Sequence, residues 1–176
     1  MNKIKYVSRQ DDVDYYIYSP SVFSKYWFSY EKDDEPDYWK NFQHSLRMLK
    51  LYLFNRYKVL YIVKDNITVG HIVISFNIKE IKGSEKSDII IGPKWVAPRF
   101  RGKGYGTKLL QFALNSNLID FSNAYEMISI SNISSIRVVE KCGYEKYANA
   151  RKGRFGKILI DENGSWFLYK YVKDKR

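Results

Sequence analysis

The sequence predicts a mixed α/β fold, and three observations carry that prediction. Amphipathic helical stretches alternate with runs of β-branched residues. Glycine and proline mark the boundaries between them, and no internal repeat or low-complexity linker interrupts the 176 residues. An apolar fraction of 45% suffices for a packed core, and the length predicts one domain over residues 1–176.

The first quarter is aromatic and mixed in charge. Tyr15, Tyr16, Tyr18, Phe23, Tyr26, Trp27, Phe28 and Tyr30 precede an acidic patch of Glu31, Asp33, Asp34, Glu35 and Asp37. Pro36 stands where a helix would begin, with carboxylates at the positive end of its dipole. Trp39, Phe42, Leu46, Leu49 and Leu53 recur at spacings of three and four, predicting an amphipathic helix to about residue 57. A β-hairpin follows over residues 59–63 and 67–76, with Asp65 and Asn66 in its turn. After a polar stretch, residues 88–91 read as a third strand, which Gly92 and Pro93 interrupt. Proline cannot complete a central ladder, so a bulge or a splayed edge is expected there. A second helix carries Tyr105, Leu109, Phe112 and Ala113 on one face, and a strand covers residues 125–130. A short helix over residues 133–142 is bounded by Asn132, a favoured N-cap, and Gly143, a favoured residue past a helix end. Two strand-like runs, 144–147 and 166–172, close the chain.

Composition narrows the function classes. The longest apolar run, residues 59–63, falls far short of the ~18 residues that span a bilayer. Residues 1–6 lack the apolar segment of a secretory signal, so a cytoplasmic protein without a membrane partner is expected. Cys142 stands alone, which predicts neither a disulfide framework nor a cysteine-built metal site. The net charge of +11 is localised: residues 89–119 carry +5 with no acid, residues 141–176 carry +6, and the remainder cancels. A localised basic surplus points to an anionic partner or to a solvated basic face.

The segment from Arg99 to Thr107 is the most informative. Gly102, Gly104 and Gly106 let the backbone approach a ligand closely, and a helix begins at once. N–H groups at that helix start, its dipole, and the neighbouring Arg101 and Lys103 suit a pyrophosphate. The spacing fits neither a Walker A loop nor a dinucleotide fingerprint, and a plain strand-to-helix turn explains the glycines equally.

Arg101-x-x-Gly104-x-Gly106, opening an amphipathic helix after a strand, resembles motif A of the GNAT superfamily of N-acetyltransferases. The segment 132–144, Asn-Ile-Ser-Ser-Ile-Arg-Val-Val-Glu-Lys-Cys-Gly-Tyr, resembles that family's motif B, Asn-x-x-Ser…Glu-Lys-x-Gly-Phe. One helix and one strand fit between the two, and the resemblance covers about residues 58–147. It implies a splayed central sheet of about six to seven strands flanked by about four helices. It also implies an acceptor-side part at 1–57, an acetyl-CoA-binding core at 58–147 and C-terminal strands at 148–176. By the resemblance, Trp95 and Val96 would pair their backbone with the pantetheine arm. Arg101, Gly102, Lys103, Gly104, Tyr105, Gly106 and Thr107 would wrap the pyrophosphate. Asn132 would contact pantetheine near the thioester, although a plain N-cap role accounts for it nearly as well.

The sequence departs from the family's common pattern at one chemically important position. Many members carry a tyrosine four residues before the motif B glycine, where it protonates the leaving thiolate; here that residue is Val139. Ser135, one turn earlier, is the substitute, with an inert first-turn serine as the alternative. Candidate general bases are Asp88, Glu126 and, third, His71. Cys142 has no neighbouring histidine and makes a poor nucleophile. The aromatic and acidic N-terminal quarter would receive a cationic or sugar-like amine, unless the acids merely cap a helix. The resemblance therefore implies acetyl transfer from acetyl-CoA to a small amine or amino sugar, by a monomer or homodimer with no metal. The alternatives are a protein N-terminus as acceptor, an inactive acetyl-CoA-binding module, or a basic nucleic-acid-binding domain. The last is permitted by the 17% aromatic content but has no RNA-binding signature.

Overall fold

A computed structural model describes residues 4–20, 30–31, 34–37, 42–53, 57–76, 78 and 80–173. Among them are nine strands and three α-helices, against the six to seven strands and four helices expected. The strands are β1 (Ile4–Gln10), β2 (Val13–Tyr18), β3 (Tyr57–Lys64), β4 (Ile67–Ser75) and β5 (Ile89–Val96). They continue as β6 (Asn123–Ser129), β7 (Glu145–Lys152), β8 (Ile158–Ile160) and β9 (Trp166–Val172). The helices are α1 (Phe42–Leu53), α2 (Tyr105–Asn115) and α3 (Ile133–Lys141). None is long and apolar enough to cross a membrane among the described residues.

The chain divides into two compact units, residues 1–74 with 93–109, and residues 75–92 with 110–176. In the first unit β1, β2 and β3 form an antiparallel meander. The β1–β2 hairpin was not predicted. Its alternation of Val13, Tyr15 and Ile17 places those residues inward, so part of the aromatic cluster read as an acceptor surface is core instead. The β3–β4 hairpin matches the expectation, and Asp65 and Asn66 both adopt positive φ, as a two-residue primed turn requires.

Helix α1 buries Met48 and Leu51 against Tyr18, Tyr57, Val59, Tyr61, Val63 and Val73. The predicted stripe of Leu46, Leu49 and Leu53 is exposed instead, at 56%, 41% and 68%. Trp39 lies outside the described residues. Leu46, Leu49 and Leu53 share one face of this helix and Met48 and Leu51 another, so its periodicity allows two stripes and tertiary packing selects one. The helix was also expected to reach residue 57, but Tyr57 opens β3.

In the second unit the parallel pairing of β5 with β6 joins Ile89 to Ala124 and Ile90 to Tyr125. Beyond it β6 pairs with β9, β9 with β7, and β7 with β8, all antiparallel. Ile78, Ile81, Ile90, Tyr125, Ala150 and Leu168 form a core cluster there. The registered ladder between β5 and β6 ends after Ile90, and Gly92 follows with φ +127°. Past that point, in the first unit, the Ala97 N–H donates to the Val69 carbonyl at 2.9 Å. The interruption read from Gly92 and Pro93 is therefore a strand that gives up one neighbour partway along.

Two predictions follow from the packing. A Cβ on Gly70 would stand 2.6 Å from the Trp95 carbonyl oxygen, a main-chain atom that cannot swing aside. Gly70→Ala should lower unfolding stability by about 1–3 kcal/mol in a denaturant titration; an unchanged midpoint would show that β4 and β5 relax freely. The second concerns pH. Burial, the largest cause in each case, pushes the hydroxyls of Tyr15, Tyr125 and Tyr169 up to about 12 from 10.0. Raised values mean that the unfolded chain ionises first. Their contribution is complete below pH 10 and is lost as pH rises towards 12. Unfolding free energy measured across that interval should fall steadily, and a flat profile would contradict the burial.

Candidate functional site

Immediately after β5, Ala97 and Pro98 start a one-turn 3-10 helix, Pro98–Phe100, closed by the Phe100 N–H on the Ala97 carbonyl at 2.9 Å. Proline at the first position presets the turn. Residues 101–104 then run exposed into α2, whose first hydrogen bond is Lys108 N–H to the Gly104 carbonyl at 3.0 Å. Gly102 has φ +74° and Gly104 φ +83°, and a Cβ on either would meet no atom within 4 Å. Backbone conformation, not crowding by the protein, calls for glycine at these two positions, and the space beside them is open. The first N–H groups of a helix lie outside its own ladder and carry the positive end of its dipole, so an anion fits this turn.

The cations of this region divide into two sets. Arg99 donates from Nη1 to Glu31 Oε2 at 2.9 Å and from Nε to Asp34 Oδ2 at 2.8 Å. Its ionisation is raised first by the Glu31 bond and further by Asp34. Lys108 donates to Asp11 Oδ2 at 2.8 Å, and Lys64 is paired with Asp12. By contrast, among the described residues neither Arg101 nor Lys103 pairs with a carboxylate. The Arg101 guanidinium lies over the Trp95 ring, 4.6 Å from its centroid, and its Nε donates to the Val96 carbonyl at 3.0 Å. Lys103 sits 5.7 Å from the Phe100 ring centroid. The +5 of residues 89–119 is thus partly cancelled by N-terminal carboxylates, and Arg101 and Lys103 remain beside the turn. Within the acidic patch, the carboxylates of Glu31 and Asp34 are engaged by Arg99.

All the glycine-turn residues, with Trp95 and Val96, belong to the first unit; Asp88, Glu126, Asn132 and Ser135 belong to the second. Asn132 is the N-cap of α3, its Oδ1 accepting from the Ser135 N–H at 3.2 Å and from the Ser134 hydroxyl at 3.0 Å. Gly143, at φ +83°, ends the helix as expected. Ser135 is half-buried, and its hydroxyl makes no hydrogen bond among the described residues. Val139 is fully buried, so an apolar side chain packs where the family's tyrosine would stand.

The candidate bases stand just before β5 (Asp88), on β6 (Glu126) and on β4 (His71), and all three are buried. Asp88, 1% exposed, accepts from Asn123 Nδ2 at 2.7 Å and from the Glu85 N–H at 2.9 Å. One oxygen holds the turn before β5 and the other meets the first residue of β6, a structural role that accounts for its burial. Glu126 is buried near Tyr144, whose hydroxyl is pushed well above its ordinary range, first by burial and then by Glu126. His71 is completely buried in the first unit, its Nδ1 2.7 Å from the Tyr30 hydroxyl and its ring between Tyr30 and Tyr61. No cluster of His, Cys, Asp or Glu among the described residues could hold a metal ion.

Sequence reasoning placed Asp34 in the acidic patch but missed its connections to Arg99 and Trp95. It is 6% exposed, its main-chain carbonyl accepts from Trp95 Nε1 at 3.0 Å, and its carboxylate meets Arg99. The only advance signal was acidity upstream of a basic loop.

The model of the acetyltransferase (GNAT) family matches residues 19–144. No curated protein matches the chain. Among solved structures, YncA from Salmonella typhimurium, determined with its cofactor acetyl-CoA, is 20% identical at a TM-score of 0.54. That likeness covers 76% of this chain and 73% of the other. A chimera of the spermidine N-acetyltransferase SpeG from Vibrio cholerae with hSSAT is 15% identical at a TM-score of 0.55, covering 79% and 81%. RimL, a ribosomal L7/L12 α-N-protein acetyltransferase in its apo form, is 16% identical at 0.54, covering 76% and 80%. At these identities the likeness is one of fold.

Proposed function

The chain belongs to the acetyltransferase (GNAT) family, and from that premise we propose that it transfers acetyl from acetyl-CoA to a primary amine by direct attack. The single observation that carries this reading is the exposed turn at Gly102 and Gly104, with positive φ, open space, a helix start and two cations that no described carboxylate neutralises. Main-chain N–H groups of residues 102–107 hold the pyrophosphate, while Arg101 and Lys103 offset its charge. The Val96 carbonyl already accepts from Arg101, so pantetheine pairing at the end of β5 falls to the other main-chain groups of Trp95 and Val96.

Acetyl-CoA supplies an activated thioester, so no covalent enzyme intermediate is needed. Once the amine is neutral, its nitrogen bonds to the acetyl carbon as the carbon–sulfur bond breaks; the second nitrogen proton ends on the departing sulfur, to which the Ser135 hydroxyl donates a hydrogen bond. With Asp88 committed to its turn and Glu126 and His71 buried, the ammonium loses its proton to water rather than to one of these side chains. The acceptor is a small amine or amino sugar. Glu35 and Asp37 support it: they stay outside any ion pair among the described residues and would attract a cationic amine. The related folds serve both a polyamine and a ribosomal-protein terminus, so the fold itself does not choose.

Calorimetric titration with acetyl-CoA, followed by thiol release across an amine panel, tests the proposal. Micromolar binding with amine-dependent release is expected; binding without turnover on any amine would mean an inactive module. A β-branched side chain is strained at positive φ, so Gly104→Val should abolish binding while circular dichroism stays native. Retained binding would mean that the turn is not the site. Ser135→Ala should lower kcat about tenfold or more with acetyl-CoA affinity nearly unchanged. Unchanged kcat would remove the hydroxyl from the reaction.

A further inference from the structure

Asp34 makes two different connections to the segment that leads into the glycine turn. Its carboxylate accepts from Arg99 Nε at 2.8 Å, and its main-chain carbonyl accepts from Trp95 Nε1 at 3.0 Å. Trp95 in turn supports Arg101, whose guanidinium lies over the indole at 4.6 Å and whose Nε is spent on the Val96 carbonyl at 3.0 Å. With its guanidinium over the indole and Nε occupied, Arg101 has only its two terminal amino groups left to donate. Arg99 is held away from that task by two carboxylates, Asp34 at 6% exposure and the more exposed Glu31.

We propose that Asp34 is a positioning residue for phosphate recognition. It fixes Arg99 and Trp95 so that Arg101, rather than Arg99, presents the guanidinium to the anionic end of acetyl-CoA. The inference rests on the reading of the glycine turn given above and adds the residue that sets its arginine. It also gives the N-terminal segment a part in coenzyme binding, distinct from acceptor recognition.

The sign of one substitution discriminates. A carboxylate near an anion site repels the anion, so a bystander Asp34 replaced by Asn would tighten acetyl-CoA binding. A positioning Asp34 replaced by Asn would weaken it, because the arginine fork opens. Asp34→Asn keeps the volume and the main-chain bond to Trp95, so it isolates the link to Arg99.

The experiment is calorimetric titration of acetyl-CoA into the full chain, repeated at two salt concentrations, for wild type, Asp34→Asn, Arg99→Gln and the double variant. Each single variant should bind about tenfold more weakly, the loss expected for a hydrogen bond between charged groups. The double variant should be no weaker than either single, since both break one link. If Asp34→Asn fails to fold, Arg99→Gln decides alone: a positioning role weakens binding with the salt dependence kept, whereas a direct phosphate contact would flatten it. Equal or tighter binding by Asp34→Asn, additive losses, or a flattened salt dependence for Arg99→Gln would overturn the proposal while the coenzyme reading stands. No binding by wild type would overturn both.

Discussion

Strand β5 keeps its ladder to β6 only as far as Ile90, and the rest of the account depends on that short pairing. A parallel strand that paired along its whole length would spend its main-chain groups on its neighbour. Here the strand turns through Gly92 and Pro93 and delivers Trp95, Val96 and the 3-10 turn to a separate environment. The glycine turn and the start of α2 follow directly. A strand end, a backbone relieved of side chains and a helix N-terminus therefore arrive consecutively in the chain. That combination is what an extended anionic ligand with an amide-bearing arm requires.

Charge is deployed more economically than its total implies. Of the basic residues around the turn, Arg99 and Lys108 serve as anchors for N-terminal carboxylates, and Lys64 is paired in the same way with Asp12. Apart from the Arg99 pair with buried Asp34, these pairs are exposed and contribute little to stability one by one, because water and salt screen them. Their geometric effect is larger, since they tie the β1–β2 turn, Glu31 and Asp34 to the segment that carries the site. The C-terminal +6 is used differently. Lys146 and Lys152 lie over the rings of Phe167 and Trp166, at 3.8 and 4.0 Å, and Arg151 pairs with Asp161. Part of that surplus therefore serves the packing of β7 against β9.

The local features were legible because local chemistry determines them. Positive φ at Asp65, Asn66, Gly102, Gly104 and Gly143, and the Asn132 cap, each follow from a residue and its immediate neighbours. What stayed hidden is long-range. The Asp34 carbonyl and the Trp95 indole are 61 residues apart, and no spacing rule joins them. Asp88 and Glu126 occupy plausible strand positions for a base, yet only the fold shows the first holding a turn and the second buried near Tyr144. Helix α1 was found but its face was misassigned, because apolar residues on two faces leave the choice to the sheet it meets. The β1–β2 hairpin carried a visible alternation, obscured by tyrosines that could equally have lined a surface.

The central claim is that acetyl-CoA is held by the main chain of the glycine turn. Amide hydrogen exchange, followed residue by residue with and without acetyl-CoA, tests it most directly. The account predicts new protection concentrated at the N–H groups of residues 102–107, with a smaller effect at Trp95 and Val96. Protection absent there, or appearing instead on the basic β7–β8 hairpin, would contradict it.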